Sequence, residues 1–167
     1  MRVWRDAFFE GLRSGTLASL LSVAILTAAG RIEHGRAAPP INAISHWIWG
    51  ARALRKNSPT WRHTANGYLI HHAASIFWAT LHARATGVGQ GPRPIGRALA
   101  EGLCTAGVAC FADYRLTPER FRPGFEHRLS RGALLLVYAA FGLGLALGSR
   151  ACRSAAASGQ RLTARPR

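Results

Sequence analysis

The chain is poor in the residues on which soluble catalysis and metal binding most often rest. Of 167 residues, seven are acidic, three are cysteine and one, Met1, is methionine. Cys104 and Cys110 stand six residues apart in one apolar segment, on different helix faces and too distant for a disulfide, and Cys152 lies beyond the last such segment. With no C-x-x-C pair, neither a structural zinc site nor a dithiol redox motif is indicated, and the three thiols read as small packing groups. The lack of methionine, and of histidine in three of the four apolar segments, argues against a haem held by two axial ligands within one chain. No G-x-S-x-G is present, and the Gly87–Pro94 stretch is not a dinucleotide loop, because no strand precedes it and its prolines spoil a helix start. No catalytic residue, metal site or cofactor is therefore expected.

What the sequence has is arginine and apolar length. Lys and Arg number 22, all but Lys56 being Arg, for a net charge of +15 and a pI near 11.7. That balance raises nucleic-acid binding first, but the arginines flank apolar runs instead of forming one stripe interleaved with aromatics. They read as anchors at phospholipid headgroups, and no nucleic-acid partner is expected.

The run from Gly132 to Ser149, GALLLVYAAFGLGLALGS, carries no charge, has only Tyr138 and Ser149 as polar side chains, and is bracketed by Arg131 and Arg150. A helix apolar all round has to be buried in protein or in lipid. Three further segments resemble it, so the expected fold is all-α: a polytopic membrane protein with four transmembrane helices near 14–30, 67–83, 95–114 and 132–149 in one domain over residues 1–150. Residues 151–167 read as a basic flexible tail. The first segment has small residues at signal-peptidase-like positions, Thr27 and Ala29, which leaves a secretory signal as an alternative. Asp6 and Glu10 in the lead-in, and the Gly11, Gly15, Ser19 ridge, favour a retained helix packed closely on a neighbour. Gly144 and Gly148 repeat that spacing.

Between the first two spans, Ile41, Ile44, Trp47, Ile48, Ala51 and Leu54 recur at helical spacing, with Arg52, Arg55 and Lys56 at the far end. The pattern predicts one short interfacial helix over 41–56, anchored by Trp47, Trp49, Arg52 and Arg55. Lys and Arg divide evenly between the two sides of a four-span topology, so charge does not orient it. The acid-free connection around Arg84, Arg93 and Arg97 leans toward both termini in the cytoplasm.

Three stretches, AAPPINAISHWIWGARALR, HTANGYLIHHAASIFWATL and ADYRLTPERFRPGFEHRLS, together resemble a set of small inner-membrane proteins of proteobacteria with no characterised activity. The resemblance covers most of residues 36–148. It implies a multi-pass protein of the bacterial inner membrane and brings no activity or residue role with it.

Ionisable groups at membrane depth are costly and mark candidate function. On the second span His71 and His82 share a face, since eleven residues at about 100° each return to within about 20° of the start. They lie about 16 Å apart along the axis, too far to share a metal ion, and His72 points about 100° away. If the third span runs back antiparallel, His82 meets the level of Glu101, and His71 or His72 that of Asp113. Carboxylate and histidine so placed would form proton-responsive pairs. The competing reading pairs Glu101 with Arg97 one turn earlier, places Asp113 at the interface beside Arg115, and leaves the histidines bonding neighbouring helices. The functional expectation is a non-enzymatic envelope component or packing partner in the phospholipid membrane, alone, as a homo-oligomer or with another membrane protein. A transporter-like or proton-responsive protein using the His and acid pairs is the alternative.

Overall fold

A computed structural model describes residues 1–163, with side chains through Gly159. It contains α1 (Arg2–His34), α2 (Ala38–Ile44), α3 (His46–Trp49), α4 (Ala51–Leu54), α5 (Asn66–Thr86), α6 (Ile95–Phe111) and α7 (Arg131–Thr163). Short π turns precede α5 (Trp61–Ala65) and follow α6 (Ala112–Leu116), and there is no strand among the described residues. Three helical stretches are long and apolar enough to cross a membrane: α1, α6 with its π turn, and α7 through Gly159. α5 has the length, at 21 residues, but its three histidines make it less apolar than the others.

Each long helix runs antiparallel to its neighbours. Along α1, Gly11 lies against Thr80 of α5, Gly15 against Ile76, and Ser22 against His71. The adjoining face of α1 takes α7, with Ser14 against Gly148 and Ala18 against Gly144. α7 in turn packs on α6 through Gly142 and Gly102. Absent side chains let the backbones meet: a Cβ at Gly144 would stand 2.4 Å from the Ala18 Cα. The spatial order is therefore α5, α1, α7, α6. α5 and α6, joined by the short 87–94 connection, face one another across a gap bridged near that connection by His82 and Thr105.

The outward faces stay apolar. Leu20, Leu69, Phe77, Leu103, Val108, Leu135, Leu136 and Leu143 are all exposed. A water-soluble monomer seldom presents so much contiguous apolar surface, whereas a helix facing lipid does.

At one end of the bundle lie the start of α1, the 87–94 connection and the far half of α7. The other end carries the two long connections. α1 stops at Gly35, whose φ of 67° places it in the left-handed region and lets its N–H reach the Arg31 carbonyl. Pro39 and Pro40 then open α2 where a helix needs no N–H. α7 is capped by Ser130, whose hydroxyl accepts from the Ala133 N–H, while Glu33 at the end of α1 accepts from both the N–H and the O–H of Ser130.

Two expectations need correction. Residues 41–56 are not one interfacial helix but the end of α2, then α3 and α4, broken at Gly50 (φ 62°, ψ −163°), a conformation that excludes other residues. The stripe is divided: Ile41 and Ile44 are buried against Leu26 and Phe125 inside the protein, and Ile48 faces out. Nor is the chain after 150 a tail throughout, since α7 continues without a break to Thr163; the remainder, 164–167, lies outside the described residues. The helix persists because Arg153 is buried, 3.0 Å from Glu10 of α1, with a second bond of 2.7 Å to the Thr86 hydroxyl of α5. The lead-in to the first span is equally part of the bundle, through Ala7, Glu10 and Gly11.

Candidate functional site

Because α5 and α6 stand apart while α1 and α7 pack tightly behind them, a cavity of about 520 Å³ opens between them. α5 supplies His71, Ser75 and Trp78, α6 and its π turn supply Ala109 and Asp113, and α7 forms the floor with Val137, Tyr138 and Phe141. Ser22 of α1 reaches it from behind. Trp47, Phe121 and Phe125 from the long connections close one end. Phe77 of α5, 57% exposed, also lines it, so the cavity reaches the flank of the bundle at α5, and Phe121 at the closed end is 47% exposed. Its size is that of a small-molecule site, and a mostly apolar wall with a few convergent polar groups is the usual make-up of one.

The ionisable groups singled out from spacing fall into three places. His71 and Asp113 face the same cavity from opposite walls, each held by another helix: His71 Nε2 is 2.9 Å from the Ser22 hydroxyl, and Asp113 accepts from the Tyr138 hydroxyl at 2.6 Å. His82 is buried away from the cavity with Nδ1 2.8 Å from the Thr105 hydroxyl. Thr105 is one turn beyond Glu101, whose own carboxylate is taken by Arg97 at 2.9 Å and Arg93 at 3.2 Å. His72 stacks on Tyr68, ring centroids 5.6 Å apart, with Nδ1 buried and unpartnered. Neither His71 nor His72 hydrogen-bonds Asp113. Among the described residues no three His, Cys, Asp or Glu side chains converge on a point where a metal ion could sit.

The expected anchors have other partners. The Trp47 indole N–H donates to the Arg122 carbonyl at 2.8 Å and its ring meets Phe121 edge-on, which makes it part of the cavity wall. Trp49 donates to the Arg62 carbonyl and carries the Arg62 guanidinium 3.8 Å over its ring. Arg52 and Arg55 are exposed.

Ser22 and Tyr138 were not singled out as site residues. Tyr138 is the one polar side chain inside the Gly132–Gly148 run, and Ser22 lies one helical turn beyond Ala18 on the face that packs between helices. Both signals are in the sequence, but a serine in a membrane helix ordinarily bonds its own backbone and a tyrosine hydroxyl, at the end of its ring, can meet any of several neighbours, so neither stands out without the fold. Beneath the closed end, Asn42 in α2 is wholly buried and organises the connection: its amide donates to the Lys56 and Ser58 carbonyls and its oxygen accepts from Thr64. His63 beside it meets the Ser45 hydroxyl, and partial burial, with Arg62 and Lys56 nearby, lowers its pKa below the usual 6.5.

No protein family, curated protein or solved structure matches this chain.

Proposed function

We propose that this is a non-enzymatic, four-span protein of the bacterial inner membrane that holds a small apolar molecule, drawn from the bilayer, in the cavity between α5 and α6. The observation that carries the reading is the position of that cavity: its mouth is on the flank, between helices whose outward faces are apolar, so the path to it starts in lipid. The fourth span rests on α5 lying along α1 from Thr80 at Gly11 to His71 at Ser22, which sets it at the depth of a helix apolar enough to cross. His71 and His82 turn toward Ser22 of α1 and Thr105 of α6, as polar groups within a bilayer should, and His72 stacks on Tyr68 of its own helix. The transporter-like, proton-responsive alternative draws on His71 and Asp113 sharing one cavity.

Two measurements test the proposal. Reporters fused to both termini should fall on the same side of the membrane, and opposite sides would refute the even number of spans. In a variant keeping Trp78 as its only tryptophan, lipids brominated near mid-chain should quench fluorescence strongly. Quenching by aqueous iodide instead would show that the cavity opens on water.

A further inference from the structure

The hydrogen-bonding inventory of the cavity restricts its occupant. Most side-chain donors on its wall spend their protons inside the protein: Ser22 on the Ala18 carbonyl at 2.8 Å, Ser75 on the His71 carbonyl at 2.8 Å, Trp47 on the Arg122 carbonyl, and Tyr138 on Asp113. The His71 ring and the Ser22 hydroxyl share one hydrogen bond, so that pair is satisfied within the protein. Asp113 keeps acceptor capacity beyond the Tyr138 bond and has no cationic partner within 4 Å among the described residues. Trp78 and Thr117 are the lining side chains with a proton in hand, and neither is charged. Among the described residues no Lys or Arg lines the cavity.

The Asp113 carboxylate thus faces a space walled largely by aromatic rings, Trp47, Phe77, Trp78, Phe121 and Phe141 among them. A carboxylate in an apolar site is stabilised by an opposite charge, and ring faces attract cations. An anion or phosphate would meet no charged donor.

We propose that the cavity binds a lipophilic amine in its protonated form, the ammonium donating to Asp113 and the apolar body lying among the rings. This rests on the cavity being a binding site, as argued above. Phosphatidylethanolamine also carries an ammonium, but its phosphate has no partner here, so the occupant is a free amine.

The test compares three probes with one apolar body: 1-aminoadamantane, 1-adamantanol and adamantane-1-carboxylate, in equilibrium binding to the full chain in phosphatidylcholine nanodiscs at pH 7. The amine should bind at least ten-fold more tightly than the other two. Asp113→Asn, which keeps an oxygen for Tyr138, should lower amine affinity ten-fold or more and leave adamantanol unchanged. Tyr138→Phe, which frees the carboxylate, should retain or tighten amine binding. Equal binding of all three, or preference for the carboxylate, would overturn the amine assignment while leaving the cavity a binding site. If no probe binds, both readings fail together. Loss of amine binding when phosphatidylethanolamine is added would identify a lipid headgroup as the occupant and overturn the free amine.

Discussion

Removing Arg153 should unfold the bundle far more readily than removing both members of its ion pair. The Arg153 and Glu10 side chains are 4% and 8% exposed, so the carboxylate left by Arg153→Met has no water to replace its partner. Stranding one charge of a buried pair costs about 3–5 kcal/mol. Thr86 loses a donor as well, worth about 0.5–1.5 kcal/mol, although its own proton still goes to the His82 carbonyl. The single variant is expected in the upper part of that range. In Glu10→Met with Arg153→Met the desolvation cost disappears along with the attraction, and stability should return to within about 1 kcal/mol of the parent. Unfolding by increasing mole fractions of SDS in mixed micelles, followed by helical circular dichroism, measures both. A single variant within 1 kcal/mol of the parent, or a double variant no better than the single, would refute the reasoning, because the carboxylate would then have to be hydrated.

Gly144→Ala, whose Cβ meets the Ala18 backbone, should cost about 1–3 kcal/mol by the same titration. Gly107→Ala on α6, with nothing within 4 Å, should instead stabilise by about 0.5–1 kcal/mol, and a similar loss in both would mean that helix packing is not the cause. Ser130→Ala removes the α7 cap and should cost about 0.5–2 kcal/mol, visible as faster hydrogen exchange in the first turn of α7. His63 titrates below 6.5 in the folded protein, so its contribution is complete above pH 6.5 and is lost as the pH falls through the folded-state value. Stability should fall on acidification across that window, and His63→Gln should flatten the dependence in a thermal-unfolding series.

The helices were legible where a single physical rule governs them. Gly132–Ser149 has no polar face and forms a helix long and apolar enough to cross a membrane, and Gly144 and Gly148 announce a close neighbour, which they meet in α1. Length and apolarity do not say which neighbour. The α5 and α6 segments suggest an antiparallel hairpin with its levels matched, yet α1 and α7 take the glycine contacts and leave a gap between them, so the cavity was invisible in the sequence. His71 and Asp113 could be named from the cost of polarity in lipid, but their hydroxyl partners could not. A serine in a membrane helix has a backbone partner by default and a tyrosine hydroxyl has a choice of neighbouring helices, and only the fold shows what each one reaches. Residues 41–56 misled because an apolar stripe fits a membrane surface and a protein interior equally well. Arg153 misled because a basic stretch after a span resembles a tail until a buried acid, here Glu10, is found opposite.

The close fit of α1 to α7 bears on the order in which the protein assembles. The contacts that hold the bundle together join residues 10, 14 and 18 to residues 153, 148 and 144, two helices separated along the chain by α5 and α6. α1 enters the membrane with its Glu10 carboxylate and one packing face uncovered, and α5 and α6 are synthesised before either is satisfied. Assembly of such distant partners is slow to begin and depends on α7. α7 is therefore the closing element, and a chain stopped before Gly144 would keep its apolar segments while lacking the surface that joins them.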